Sequence, residues 1–268
     1  MKKTIISLRI GGVSIAFGLH SAKMAALIRS RYKGYLRAHS GNCLTMDCSF
    51  SSKKFSNNLT VLLFPASGPF RRALRYDFDC SWTDSEGRVS MLPSIYSFDA
   101  CLRVLCATQI MLQGGLLLHA AAVVRNSKAF IFAGPSGSGK TTITRLSGAK
   151  KILSDEIVAI IRDKHNRMLA GSTPFWGEMG TGPSSRKSYL VAAIFFLKKS
   201  NYLKKETLSN NEAIRKLLRC VCLFGKHPGD IQAALDICAR ILQSTAAYDL
   251  YFEKKPLQWS ELMQGTLK

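Results

Sequence analysis

Eight consecutive residues, Gly134-Pro135-Ser136-Gly137-Ser138-Gly139-Lys140-Thr141, satisfy the spacing GxxxxGK[ST] and follow the apolar run 129–133. That is the chemistry of a polyphosphate cradle. Glycines let consecutive backbone N–H groups turn toward the α- and β-phosphates, Lys140 reaches the β- and γ-oxygens, and the Thr141 hydroxyl holds Mg²⁺. Thr142, at the head of the helix-compatible stretch behind the loop, joins the binding set. Phosphoryl transfer also needs carboxylates that hold metal and a group that accepts the proton of the attacking hydroxyl. Asp155 and Glu156 follow one short helix later. Neighbours on a strand point to opposite faces, so one of the pair is expected to meet the γ-phosphate directly. Asp155 is assigned as that group and as the general base, and Glu156 as a metal-holding partner. Glu178, in the Gly/Pro-rich stretch 173–178, is a further carboxylate for metal. His119 stands alone in the apolar run 116–120, where a histidine serves either as a hydrogen-bonded core residue or as a member of the site.

The order of these pieces resembles the C-terminal kinase domain of HPr kinase/phosphorylase. It resembles still more the HPr-kinase-like proteins of bacterial biosynthetic clusters, including kinases that phosphorylate the C-terminal serine of lasso precursor peptides. Leu-Leu-His-Ala-Ala-Ala-Val at 117–123 and Ser-Thr-Pro-Phe-Trp-Gly-Glu at 172–178 carry most of the likeness, which runs over most of residues 95–260. The stretch Arg31-Tyr32-Lys33-Gly34-Tyr35-Leu36 also looks family-like. The resemblance implies an α/β fold of the phosphoenolpyruvate carboxykinase/HPr kinase type, with a small α/β N-terminal domain at 1–90 and the phosphate-loop kinase domain at 91–268. It also implies ATP and Mg²⁺ as cofactors, a base role for Asp155, a site position for His119, and metal or phosphate contact for Glu178. Glu156 departs from the family's second aspartate, and no counterpart of the HPr-docking signature is present, so HPr is not the expected acceptor.

These groups need a scaffold. Residues 4–10 and 13–17 read as a hairpin about Gly11-Gly12, followed by a helix over 21–35. Strands are expected at 59–64 and 73–80, with turns at 65–69 and 84–87, and a helix runs from 97 to about 113. Next come a strand from 116 to 124, a two-residue turn at Asn126-Ser127 and a strand at 128–133, a hairpin that feeds the phosphate loop. A helix of about nine residues, a strand at 157–161, a turn at 163–166 and a strand at 168–170 make a tight local order, unlike common phosphate-loop folds whose second acid arrives much later. Downstream the reading gives a strand within 185–197, a capping box Ser209-x-x-Glu212 opening the helix 213–219, a helix capped by Asp230, an edge strand through Tyr248, Leu250 and Phe252, and a short last helix carrying Trp259 and Leu262.

The chain of 268 residues carries a net charge of +21, with basic residues spread over both halves. Such charge suits nucleic acid, an anionic membrane or an acidic peptide. No basic recognition helix or aromatic-rich basic strand stands out, so an acidic peptide or small-protein phosphoacceptor is expected rather than nucleic acid. No apolar run approaches the length of a bilayer crossing, so no membrane partner is expected. Eight cysteines without a Cys-x-x-Cys pair read as buried thiols in a reducing cytoplasm. The composite expectation is a cytoplasmic, homo-oligomeric serine kinase. A nucleotide-gated binding module without phosphotransfer is the alternative, and a phosphoenolpyruvate carboxykinase is disfavoured by chain length and the lack of a manganese ligand set.

Overall fold

The structure, a computed structural model, describes residues 3–39, 41, 43–67, 70–149, 151–179, 187–225 and 227–263, without the side chains at 65–67. It is mixed α/β, built on two eight-stranded sheets. The chain divides into two compact units, Met1–Gln109 with Leu223–Ile231, and Ile110–Cys222 with Gln232–Lys268.

The first unit holds β1 (Thr4–Ile10), β2 (Val13–Leu19), α1 (Ala22–Arg31), β3 (Leu36–Arg37), β4 (Leu44–Phe50), β5 (Leu62–Ser67), β6 (Phe70–Arg75), β7 (Phe78–Trp82), β8 (Glu86–Met91) and most of α2 (Ile95–Leu112). The strands lie in the order β3-β1-β2-β4-β8-β7-β6-β5. Helix α1 starts where the Ser21 hydroxyl accepts the Met24 N–H, satisfying one of the donors that a helix start leaves unpaired. It stops at Arg31, short of the expected Tyr35, and a 3₁₀ turn takes over at Lys33–Tyr35. The single strand expected at 73–80 is instead two strands, folded at Tyr76-Asp77. Both Asp77 carboxylate oxygens accept from the Arg75 guanidinium at 2.6 Å, closing a turn that has no glycine to announce it. Strands β4 and β8 were not expected either. Part of the expected turn at 65–69, Gly68-Pro69, lies outside the described residues, as does the start of the stretch 185–197. Helix α2, although Asp99 and Arg103 interrupt its apolar run, is long and apolar enough by composition to cross a bilayer. Here most of its apolar side chains, Phe98, Leu102 and Leu105 among them, are buried in the protein, while Tyr96 and Leu112 are exposed. All eight cysteines are free, six of them buried.

The second unit contains β9 (Leu116–Arg125), β10 (Lys128–Ala133), α3 (Lys140–Leu146), β11 (Lys151–Ser154), β12 (Ile157–Arg162), β13 (Met168–Gly171), β14 (Tyr189–Lys199), β15 (Lys204–Thr207), α4 (Asn210–Leu218), most of α5 (Pro228–Ser244), β16 (Ala246–Phe252) and α6 (Trp259–Met263). The sheet runs β10-β9-β12-β13-β14-β16-β15, and β10 also pairs with β14, so five strands close into a ring. Hairpin β9–β10 turns on Asn126 and Ser127, both at positive φ, in the paired-turn geometry that fits strand twist. The capping box at Ser209 and Glu212 is present in full. Strand β16 is interior, not an edge, because the polar strand β15, whose sequence Lys-Lys-Glu-Thr lacks apolar alternation, covers its free side.

Strands β10, β14 and β16 are parallel. On one face Phe130 and Phe132, then Ala193, Phe195 and Leu197, then Tyr248, Leu250 and Phe252, pack with Ile143 of α3 and with Trp259 and Leu262 of α6. Every second residue of a strand shares a face, so this apolar stripe is a direct product of alternation. The Trp259 indole N–H donates to the Ser147 carbonyl at 2.6 Å, tying α6 to the end of α3.

Candidate active site

Strands β10, β14 and β16 run parallel, so their carboxyl ends lie on one side of the sheet. At that end of β10 the chain enters the phosphate loop. Gly137 and Gly139 have φ of +75° and +100°, and a Cβ on Gly139 would lie 2.7 Å from the Phe252 ring. Only glycine fits there, because the backbone is left-handed and pressed against β16. The Ser138 N–H donates to the Pro135 carbonyl at 3.2 Å, closing the loop, while the buried Ser138 hydroxyl has no partner among the described residues. Lys140 is buried, and its ammonium donates to the Gly134 and Pro135 carbonyls at 2.9 and 3.0 Å. Burial pushes it below the ordinary lysine value, against the opposing pull of Cys220 and Glu156. A buried hydroxyl still lacking a partner, left-handed glycines and a cation folded onto its own loop together form a cradle that fits phosphate oxygens.

The acid pair sits where β11 and β12 run past β9 as one interrupted strand. Register slips between Ile152 and Ser154, and the Ser154 hydroxyl accepts the N–H groups of both Glu156 and Ile157. A bulge of this kind re-aims side chains. The expected strict alternation at 155–156 therefore fails, and Asp155 and Glu156 line the same cavity.

Asp155 is buried, and its two oxygens accept the N–H groups of Gly177 and Met179, each at 2.9 Å. It thereby clamps the backbone on either side of Glu178. The rest of that loop is pinned by the Thr173 hydroxyl, which donates to the Ile157 carbonyl, and by the fully buried Phe175 ring. A Cβ on Gly177 would lie 3.2 Å from an Asp155 oxygen and 3.3 Å from the Glu156 Cβ, so the loop lies closely on the acid pair and a larger residue there would press on both carboxylates. Glu178 is exposed. His119 is half-buried on β9 opposite Ile157, and its backbone N–H donates to the Cys220 carbonyl at 2.7 Å.

One cavity of about 360 Å³ brings together His119, Ser136, Gly137, Gly139, Lys140, Thr141, Thr142, Asp155, Glu156 and Glu178. Gly134, Pro135 and Ser138 belong to the same loop but not to the cavity wall. Gly177, Lys199 and Lys254 also face it, and the sequence analysis missed all three. A signal for Lys199 was available, since it continues the alternating face Ala193, Phe195, Leu197. The first unit has a larger cavity, about 650 Å³, but its walls are mostly apolar, with Arg75 the single charged group among Leu59, Val61, Leu63, Phe64, Leu223 and Phe224. The smaller one gathers the charged and titratable groups.

A family described as ScmC, SynChlorMet cassette protein ScmC, matches residues 89–243, more than half of the chain, and the chain belongs to that family. No curated protein matches the sequence. The match corrects the resemblance to HPr kinase/phosphorylase and to the lasso-precursor kinases. The pieces that carried that likeness, a phosphate loop, an acid pair and a loop glutamate, answer to the physics of holding phosphate and metal. They do not distinguish one family from another.

Proposed function

We propose that the second unit of this ScmC-family protein is a phosphate-loop kinase domain that transfers the γ-phosphate of ATP to a serine-type hydroxyl of a peptide. The observation that carries this reading is the convergence of the glycine-rich loop, Lys140, Thr141 and three carboxylates on one cavity. The loop N–H groups and the Lys140 ammonium hold the polyphosphate. Lys140 leaves its carbonyl partners for phosphate oxygens, which return the charge that burial disfavours. Asp155 orients the acceptor hydroxyl and takes its proton as the new O–P bond forms, while the bond from the γ-phosphorus to the bridging oxygen breaks and ADP leaves with that electron pair. Thr141, Glu156 and Glu178 are the groups that would hold Mg²⁺, which supplies neutralisation of phosphate charge. Positioning and electrostatics suffice for such chemistry, with no covalent intermediate. Eight free thiols agree with a cytoplasmic setting. The family description calls its members cassette proteins, so products of adjacent genes are the acceptors to try first.

The test is incubation of the purified chain with Mg²⁺, γ-labelled ATP and those peptides. Label on a peptide hydroxyl is expected, and its loss in Asp155→Asn. Absence of adenine-nucleotide uptake by calorimetry would overturn the reading. A second reading, a nucleotide-gated binding module without transfer, draws on one observation: Asp155 already accepts two backbone N–H groups and so has a structural task. Full nucleotide binding with no label transfer to any peptide would favour it.

A further inference from the structure

We infer that Lys199 and Lys254 form an anion-reading pair at the mouth of the cavity, selecting an acceptor whose hydroxyl is flanked by carboxylates. This rests on the kinase reading and specifies its acceptor. The face that packs α3 continues upward along each parallel strand. On β10 it passes Phe130 and Phe132 to Gly134, on β14 Phe195 and Leu197 to Lys199, and on β16 Leu250 and Phe252 to Lys254, two residues on. Register sets the heights. Ala133 pairs with Phe196, so Lys199 stands three residues, about 10 Å, beyond the end of β10. Lys199 pairs with Phe252, which backs Gly139 of the loop. Alternation that buries aromatic rings below thus delivers Lys199 above, the bend just past β16 supplies Lys254, and both line the cavity beside the phosphate loop.

Their charges are uncommitted. Nearby lysines are already paired, Lys204 with Glu206 and Lys216 with Asp249 at 2.6 Å, and Lys255 with Glu253 at 2.8 Å. Lys199 and Lys254 have no acidic partner among the described residues, and both are exposed. The division of labour follows from burial. Lys140, buried in the cradle, serves the nucleotide, whereas an exposed pair at the rim meets what enters from solvent. Across the cavity the wall carries Asp155, Glu156 and Glu178, which repel an acidic segment, so carboxylates beside the acceptor hydroxyl are drawn to the lysine side. The hydroxyl is then left toward Asp155.

The test uses two fluorescent decapeptides, each with one serine, flanked by glutamates in one and by glutamines in the other. Binding is followed by anisotropy with Mg²⁺ and a non-hydrolysable ATP analogue at low salt. The wild-type chain is expected to prefer the glutamate peptide by about tenfold, which two exposed ion pairs can supply. The double variant Lys199→Gln/Lys254→Gln should reduce that preference to within about twofold when the ATP analogue saturates both proteins. Lys198→Gln, a neighbour on the opposite face of β14, should keep the preference and so controls for overall charge. Equal binding of the two peptides by wild type, or a preference that survives the double variant, would each overturn the inference. Failure of the kinase reading shows separately, as absence of nucleotide uptake by the wild-type chain.

Discussion

The cavity has two walls that the chain builds in opposite ways. The basic wall, with the phosphate loop, Lys140, Lys199 and Lys254, stands on the ends of parallel strands β10 and β14 and just past β16, so the regular strand register sets its position. The acidic wall, with Asp155, Glu156 and Glu178, comes from the antiparallel side, and there each carboxylate depends on an irregularity: a bulge, a serine-capped bend, and a loop strapped down by hydrogen bonds. A wall made by periodicity tolerates substitution of single side chains. One made by irregularity couples function to local stability. Variants on the two walls should therefore differ in kind.

Asp155→Asn gives the largest effect. An amide offers one acceptor oxygen where the carboxylate offers two, so either Gly177 or Met179 loses its partner as the proposed base is lost. Transfer should fall by about 10² to 10⁴, and unfolding free energy by about 2 kcal/mol, the worth of a buried hydrogen bond to a charged group. Denaturant titration beside single-turnover transfer measures both. Lys140→Ala, on the opposite wall, should cost about 10² to 10³ in turnover without a comparable loss of stability, because burying that ammonium already carries a desolvation cost. Equal destabilisation by the two variants would erase the distinction between the walls. Glu178→Gln sharpens it from within the acidic side. The residue is exposed and its backbone remains clamped, so Mg²⁺-dependent activity should drop about 10- to 100-fold with the melting temperature unchanged.

Lys140 also gives a pH signature. Its folded value lies below the ordinary 10.5. In the free protein the neutral amine is thus favoured relative to the unfolded chain, so stability rises with pH across the window from the depressed value to 10.5 and falls as pH drops back through it. Polyphosphate binding favours the ammonium. Nucleotide affinity should accordingly decline as pH rises through that same window, with proton uptake on binding, the reverse of the trend in stability. Calorimetry in buffers of different ionisation enthalpy reads the uptake, and Lys140→Met should abolish it.

The phosphate loop and Lys140 were legible in the sequence down to their residues, because GxxxxGK[ST] names a backbone shape and the strand that feeds it is read from an apolar run, whereas Lys199 and Lys254 on the same wall were not singled out. It also supplied the types on the acidic wall, yet misjudged their arrangement. Strict alternation separates Asp155 from Glu156, and what reunites them is a slipped register plus a Ser154 hydroxyl accepting two N–H groups, neither of which has a compositional sign. The clamp from Asp155 to Gly177 and Met179 joins positions more than twenty residues apart, beyond any local pattern. Strand β15 escaped for a related reason. It is recognised by the neighbour it covers, and a polar tetrapeptide carries no periodic signal. The family was the least legible feature, since the residues that announce phosphate chemistry recur wherever that chemistry is done.

The smallest predicted effect tests whether the walls share a foundation. Hairpin β9–β10 carries His119 on one strand and leads into the phosphate loop from the other, and β9 also pairs with the interrupted strand that bears Asp155. Its two-residue turn sets the register of both sides. Ser127 adopts φ +57° there, a left-handed conformation in which a side chain costs energy and glycine does not. Ser127→Gly relieves that strain but enlarges the conformational freedom of the unfolded chain, so the two terms oppose each other. Because the turn geometry requires positive φ at both central positions, relief should win by a few tenths of a kcal/mol, up to about 1 kcal/mol, read from the denaturation midpoint. Turnover should stay within about twofold, since the register is unchanged. Ser127→Val, which resists positive φ most strongly, should reverse the sign. If it also lowers nucleotide affinity and the Mg²⁺ dependence of activity together, the turn supports both walls; if it affects one alone, they are set independently.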